Sequence, residues 1–488
     1  MAMNPNDTAA RPDAPTRVPM RAITEPAQEV PLLLEADVIV VGGGTTGPLA
    51  AIAAARQGKR VVMIERFGQL GGNLTLGLNT KPSGALVGGL PLEIWNLARS
   101  IGGAGEDYMA VVKTGGVKIA SPCDPETMKI LLTRLCAEAG VTILFETVVS
   151  RPVMDGGTVT GVIVETKSGR RWIPGKVVVD CSADADIAVR AGAPFVMGGG
   201  GQAQTMQPVS MYFTMDRVDV KRLAEWARTT DDVPARAIPD TDEGLAYGLW
   251  LTGFNRSLRQ WQQDTGIKLQ RENITLKTAD GRMYVNATRV MGVDVFDPVQ
   301  FTGAVLECYR QIEGVARYLR ERVPGFEDAR IEQIAPVLGV RETRHIDGDY
   351  MLTGDDTRVG RRFEDSVAAD ASALDIHEPK GADVDFQGMV PYEIPYRCLL
   401  PKGVENLLVA GRCISADHDA HARSRNMPAC MATGQAAGIA ASVAIDAGTT
   451  VRQAPVTRIQ EALRGLGMPL HGDEVEGTTR ATTPAMAD

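Results

Sequence analysis

Residues 36–65 read ADVIVVGGGTTGPLAAIAAARQGKRVVMIE. The run Ala36–Val41 is short and β-branched, as in a parallel strand buried on both faces. Gly42-Gly-Gly-Thr-Thr-Gly47 follows at once and fits G-x-G-x-x-G. Leu49–Gln57 is small and apolar, suited to a helix packed tightly on a sheet, and Gly58 is a natural helix stop. Arg60–Glu65 then reads as a second strand ending in an acid. Each part has a physical task. Gly42 permits the tight turn, Gly44 lets a pyrophosphate approach the backbone, and Gly47 allows close helix–strand packing, with Thr46 inside the same loop. The helix N-terminus offers free N–H groups and a positive dipole end to phosphates. Glu65, 18 positions beyond Gly47, is placed to accept hydrogen bonds from a ribose diol. Together these parts predict an α/β fold with a Rossmann-like dinucleotide-binding domain.

Outward from that unit, length and composition set bounds. At roughly 150 residues per domain, 488 residues suggest about three domains. Lys plus Arg is 51 and Asp plus Glu is 60, a net charge of −9 that argues against a nucleic-acid partner. Glycine, 52 residues or about 11% against a usual ~7%, fits an enzyme with many tight turns and close backbone approaches. The seven cysteines are odd in number, widely spaced and without C-x-x-C, so neither a disulfide framework nor a zinc site is expected; a reducing cytoplasm is. No uninterrupted run of 18 apolar residues occurs, and no membrane span is expected. Residues 1–31 are rich in Pro, Ala, Thr and charge and read as a disordered or loosely docked tail, as do roughly 472–488.

The continuation after Glu65 separates NAD from FAD. Arg66-Phe-Gly-Gln-Leu-Gly71-Gly72-Asn73 resembles the FAD-binding segment of two-dinucleotide-fold flavoproteins. That resemblance assigns Arg66, Gly72 and Asn73 to the cofactor. Asp124-Pro125-Glu126 starts a helix, with Asp as cap and Pro at the first position, ending near Ala139. Val141–Val149 alternates as a strand, and strand-like runs at 158–166 and 170–180 suggest a three-stranded meander. By the same resemblance the backbone near Val148 contacts the adenine. Where related flavoproteins show Ala-Thr-Gly-Asp, this chain has Cys181-Ser182-Ala183-Asp184, and Asp184 is carried over as a cofactor residue without the glycine before it.

Near the C-terminus, Asn406-Leu-Leu-Val-Ala-Gly411-Arg412 reads as a buried strand ending in glycine. Met427-Pro428-Ala-Cys-Met-Ala432-Thr-Gly434-Gln435-Ala-Ala-Gly438 reads as a close-packing helix whose positive end faces a flavin. With Val285–Arg289, Gly339–Arg344, Asp375–His377 and Tyr392–Tyr396, these segments resemble the FAD-dependent oxidoreductases related to fumarate reductase and succinate dehydrogenase flavoproteins. The resemblance implies cofactor roles for Gly411, Arg412, Ala432, Gly434 and Gln435. It also implies one FAD-binding domain built from 32–195 and 396–450, an α+β substrate or cap domain over 196–395, and a C-terminal helix and tail over 451–488.

Candidate catalytic residues lie in Ser415-Ala-Asp-His418-Asp-Ala-His421-Ala-Arg-Ser-Arg425. His418 or His421 would take the proton that accompanies hydride transfer, and Arg425 would clamp a carboxylate or stabilise an enolate; the histidines equally suit a structural role. Arg341, Arg344 and His345 are further candidates, for the pocket or for salt bridges in the cap. The two neighbouring histidines lack a third ligand at a convincing spacing, so no metal is expected. Cys413 and Cys430 flank the flavin segment and read as small buried hydrophobes. The expected activity is a dehydrogenase or reductase acting on a small molecule, a carboxylate being one candidate, with the electron acceptor open and a homo-oligomer compatible with it. A flavin monooxygenase and a non-catalytic or RNA-directed flavoprotein are the alternatives. Ala410-Gly411-Arg412 in place of Gly-Asp-Ala counts against the first, and the acidic balance against RNA.

Overall fold

In the computed structural model, which describes residues 23–84, 86, 88–111, 117–198, 206–271, 273–377, 384–387 and 390–479, the opening unit forms as its sequence predicts. Strand Val38–Val41 pairs in parallel with Val61–Ile64 on one side and Val177–Asp180 on the other. Thr142–Leu144 and Leu407–Val409 complete a five-stranded parallel sheet in the order 407–409, 177–180, 38–41, 61–64, 142–144. The three central strands are buried at every residue, which is why they read as continuous apolar runs. A strand from beyond residue 400 thus lies beside strands from the first half of the chain, and the Rossmann-like unit is discontinuous.

Helix Met427–Ala447 packs along helix Gly47–Arg56. A Cβ at Gly434 would stand 2.4 Å from the Thr46 carbonyl oxygen, and one at Gly438 2.2 Å from that of Ala50. Only glycine lets the two backbones touch there. By length and composition this helix is apolar enough to cross a membrane, against the expectation of no such segment, but 94% of its most apolar window is buried inside the protein.

Val148–Asp155, Thr158–Thr166 and Gly169–Pro174 form the antiparallel meander. The single strands expected over 141–149 and 170–180 are each divided. Left-handed Glu146 (φ +48°) separates 142–144 from 148–155, and 177–180 leaves the meander for the parallel sheet. Alternation continues through an extended chain that changes sheets, so the pattern alone does not mark the change.

The inserted part is a six-stranded antiparallel sheet in the order 235–237, 250–253, 274–278, 283–286, 213–216, 330–334. Helix Pro298–Arg322 packs on it through Cys308, Ile312, Val315 and Leu319. This helix begins slightly before the apolar spacing does, because Asp297 caps it and Pro298 occupies the first position. The strand expected over 207–216 is confined to Phe213–Asp216, with single bridges from Val209 to Val290 and Ser210 to Gly339. Strands Ser366–Asp370 and Tyr392–Pro395 pair with each other and bury Val367, Ala368 and Ile394 in the core that holds Val38 and Met431. Part of the span expected in the cap therefore packs on the cofactor unit.

At the N-terminal side, Pro31 and Leu33 bond to the Trp172 backbone. At the other end a loose tail was expected from 472. Instead Gly472–Thr479 is a helix whose Val475 is buried against Ala369 and Ala371. Residues 1–22 and 480–488 of the expected tails lie outside the described residues. All seven cysteines are free and buried.

Candidate active site

A cavity of about 1310 Å3 reaches from the glycine loop to the antiparallel sheet. It exceeds the roughly 300–1,000 Å3 of ordinary small-ligand sites. Gly42, Gly44 and Thr46 line it, as do Glu65 and Arg66, then Gly72, Asn73 and Val148. A Cβ at Gly44 would meet no protein atom within 4 Å, whereas one at Gly72 would stand 2.9 Å from the Gly44 Cα. The two glycine segments are thus in backbone contact and leave open space at a helix N-terminus, a cradle suited to a pyrophosphate.

Glu65 is 6% exposed. Its carboxylate accepts hydrogen bonds from the Gly43 N–H at 2.6 Å and the Phe67 N–H at 2.8 Å. Burial pushes its pKa up, and these N–H bonds act the other way. The same side chain therefore ties the glycine loop to the second strand and presents an acceptor at the cavity wall. Glu65→Ala is expected to weaken FAD binding by at least about tenfold, since one bond to a charged acceptor contributes about 1.5–3 kcal/mol. Fluorescence titration of the apoprotein measures this, and an unchanged Kd would remove Glu65 from the ribose site.

Several residues assigned to the cofactor lie off the cavity wall and make packing contacts within the protein. A Cβ at Gly47 would lie 1.8 Å from the Gly42 carbonyl oxygen, so Gly47 closes the turn rather than facing the cavity. Gly411, at φ +85°, donates its N–H to Thr433 Oγ1, and a Cβ there would press on Thr46. Gln435 Oε1 accepts from the Leu90 N–H at 2.8 Å and secures the start of helix Gly89–Ser100. Ala432 and Gly434 are likewise outside the wall. Helix Met427–Ala447 meets the cavity with its first turn, through Met427 and Cys430, and runs away from it thereafter. Burial pushes the Cys430 thiol up to about 12, so it stays protonated.

Asp184 and Arg412 both line the wall but pair with each other. Arg412 also bonds the carbonyls of Ala183 and Val340, and Asp184 accepts from Thr343 Oγ1 at 2.8 Å. Ala183 and Ala185 hold left-handed conformations at φ +72° and +54°, a cost of roughly 1–2 kcal/mol for each residue with a side chain. The buried Asp180 carboxylate holds this turn by accepting the N–H groups of Ser182, Ile187 and Ala188. The missing glycine is thus replaced by alanine in the conformation a glycine would adopt.

Of the three catalytic candidates, Arg425 alone lines the cavity. His418 and His421 start helix His418–Ser424, and their spacing puts them on one face. That face looks toward residues 342–345. His418 Nδ1 lies 2.7 Å from Glu342 Oε1. His421 is wholly buried and stacks on His345 at 4.1 Å, and burial pulls its pKa well below the ordinary value. Arg344 forms a salt bridge with Asp186 and stacks on Phe296, while Arg341 is on the wall.

Arg271 and Lys277, which the sequence left unmarked, complete the wall with Arg341 and Arg425. Arg271 donates to Asn273 Oδ1 and Asn286 Oδ1, and Asn286 donates to the Tyr212 hydroxyl. Arg341 donates to the Pro208 carbonyl at 2.6 Å. Arg425 donates to Gln207 Oε1 at 3.1 Å and to the Asp375 carbonyl at 2.6 Å, while its Nε has no partner among the described residues. The Lys277 ammonium lies over the Trp250 ring at 4.5 Å. Its one signal in the sequence was a lysine inside the otherwise uncharged strand Ile274–Thr278.

Residues 37–463 match the model of the family described as FAD dependent oxidoreductase. The chain belongs to this family. Among solved structures it is similar to a geranylgeranyl bacteriochlorophyll reductase-like protein from Thermoplasma acidophilum, at 13% identity and a TM-score of 0.48, over 92% of this chain and 87% of that one. It is also similar to the flavin-dependent brominase Bmp2, at 13% identity and TM-score 0.48, over 88% and 83%. A third is p-nitrophenol 4-monooxygenase from Pseudomonas putida, at 11% and 0.43, over 93% and 91%. The cofactor of this oxidoreductase is FAD, and the glycine cradle, the helix N-terminus and the Glu65 acceptor fit it.

Proposed function

We propose that the oxidoreductase is a dehydrogenase or reductase that transfers a hydride between FAD and a small organic carboxylate. The observation that supports this is the cationic wall of the cavity. Arg271, Lys277, Arg341 and Arg425 line it together, and Asp375 is the acid that faces all four, its carboxylate 3.7 Å from Arg425. Within this one group of the lining four cations stand against one acid, mostly withdrawn from water, a local positive surplus that an anionic substrate neutralises.

When bound, FAD supplies the hydride acceptor or donor at N5. The protein does the rest. Arg425 and Arg341 offer guanidinium forks that can hold a carboxylate by paired hydrogen bonds. Burial pulls the Lys277 ammonium down to about 8, with Arg271 and Arg341 acting in the same direction and Asp375 against it. A lysine so placed can accept or return the proton that accompanies the hydride near neutral pH. The Trp250 and Tyr212 rings lie beside it, 4.5 and 5.8 Å from the ammonium. This reading keeps the kinship with fumarate reductase and succinate dehydrogenase flavoproteins at Arg425 and not at His418, which bonds Glu342.

The pH dependence follows. Below about 8 Lys277 is protonated and attracts an anion; above it the amine is neutral. Affinity for a carboxylate substrate is therefore expected to fall as pH rises through about 8, and Lys277→Met is expected to remove that step. Anaerobic flavin bleaching by a panel of mono- and dicarboxylates, each beside its amide, reads both. Equal bleaching by the neutral amides, or pH-independent affinity in the wild type, would overturn the reading.

A further inference from the structure

Two lysines, Lys81 and Lys277, are buried at 1% and 6% exposure, and they end differently. Lys81 Nζ donates to the Leu249 carbonyl at 3.1 Å, the same carbonyl that accepts the Thr278 N–H. Lys277, the residue before Thr278, stands opposite Trp250 in the sheet and lines the cavity. Its nitrogen has no hydrogen bond or ion pair among the described residues. It meets ring faces instead, of Trp250 at 4.5 Å and of Tyr212 at 5.8 Å.

A buried ammonium without an acceptor is costly. Ring faces return about 0.5–2 kcal/mol to a cation. Burial and the charges of Arg271 and Arg341 work against it and pull the amine down to about 8, with Asp375 opposing them. At neutral pH it therefore holds roughly 200-fold more free base than an ordinary lysine titrating near 10.4. A lysine withdrawn from water beside other cations is the usual setting of an amine that attacks a carbonyl carbon. Lys81 is off the wall, with its nitrogen on a backbone oxygen, and does not share that setting.

We infer that Lys277 is a covalent binding site, whose amine condenses with the carbonyl group of a carboxylate that also carries one, a 2-oxo acid being the simplest, to form an imine. The Nζ lone pair adds to the carbonyl carbon, a proton passes from nitrogen to oxygen, and that oxygen leaves as water as the C=N bond forms. No oxidant or reductant enters. Arg341 and Arg425 hold the carboxylate, and Asp375, the acid of this group, carries the proton between nitrogen and oxygen. The protonated imine draws electrons from the neighbouring carbon and acidifies its C–H bond. A ligand with a carbonyl thus occupies the amine that carries the proton for a ligand without one. The inference rests on the reading above for the carboxylate clamp alone, and the imine forms whether or not the flavin is reduced.

The test incubates the full, FAD-loaded chain at neutral pH with glyoxylate and sodium cyanoborohydride, which reduces an imine to a stable secondary amine. Peptide mapping by mass spectrometry is expected to find the carboxymethyl group on Lys277 at least about tenfold faster than on Lys167, whose side chain is 93% exposed. The excess of free base is offset in part by the lower nucleophilicity of a weaker base. Glycolaldehyde, of equal length but uncharged, is expected to lower that ratio at least about tenfold, the loss of one modest charge contact. Lys277→Met is expected to lose the adduct. Bound flavin and circular dichroism report whether this variant folds, and if it does not, the wild-type map decides alone. Labelling of Lys277 no faster than Lys167 overturns the imine site, whatever carboxylates do to the flavin. Equal ratios for the two aldehydes overturn the carboxylate clamp in both readings. Lys277 labelled by glyoxylate beside a flavin that no carboxylate bleaches supports the imine site and overturns the proposed function alone.

Discussion

Gly47→Ala is expected to leave a protein that neither folds stably nor holds FAD, whereas Gly44→Ala, three residues earlier, is expected to fold normally and lose only the flavin. At Gly47 the added methyl carbon would lie 1.8 Å from the Gly42 carbonyl oxygen. That oxygen is backbone, held in the turn between the first strand and its helix, so no side chain can rotate away. Relief requires the helix to shift from the parallel sheet, and Ala50, Ala53 and Ala54 on it are buried against its neighbours. Loss of more than about 3 kcal/mol is expected, at the upper end of single-substitution effects. At Gly44 the methyl would meet no protein atom within 4 Å, and the residue is not among those with positive φ. Its stability is expected to be unchanged or raised by up to about 1 kcal/mol, since alanine has less freedom to lose on folding. The same methyl would stand where the pyrophosphate approaches, and FAD affinity is expected to fall at least about tenfold, ~1.4 kcal/mol. Calorimetry of the two apoproteins with flavin titration separates the cases. A Gly44→Ala protein with wild-type FAD affinity would show that the cradle holds something else.

That pair also shows why this part of the molecule was legible in its sequence. The turn, the helix start and the ribose acceptor are spelled within residues 36–65, and a local pattern suffices because its parts touch in chain order. The match between Gly434 and Gly438 and the first helix was nearly as legible, since small residues one helical turn apart announce close packing. The cavity wall was not. Arg271, Lys277, Arg341, Asp375 and Arg425 converge from four separated segments. Which face of strand Ile274–Thr278 looks into the cavity follows from its pairing with 250–253 and 283–286, which no local pattern states. The same limit misdirected the histidines. Their spacing correctly placed His418 and His421 on one helix face but could not say whether that face met the flavin or Glu342. Ala183 illustrates a different failure: its left-handed backbone is imposed by the Asp180 hydrogen bonds that cross the turn, not by its own preference.

Arg425→Met is expected to lower kcat/KM for a carboxylate substrate by about 30- to 1,000-fold, with FAD content and spectrum unchanged. The magnitude follows from removing one partner of a largely desolvated ion pair, about 2–4 kcal/mol within the range measured for such truncations. The side chain is 11% exposed, its guanidinium is fixed by Gln207 and the Asp375 carbonyl, and Asp375 Oδ2 lies 3.7 Å away. Arg425→Lys keeps the charge but not the planar fork, and should recover only part of the loss. A residue that merely held the loop would also lose stability on substitution. Here the opposite sign is expected for the unliganded protein. Arg425 crowds Arg341, whose own pKa falls to about 10 through burial first and the charge of Arg425 next. Removing one cation from that group relieves repulsion, so the apo protein should melt no lower, and stabilisation by added substrate should shrink. Stopped-flow flavin reduction and thermal melts with and without substrate read the two signs together. Unchanged kcat/KM, or a fall matched by an equal loss of apo stability, would return Arg425 to a structural role.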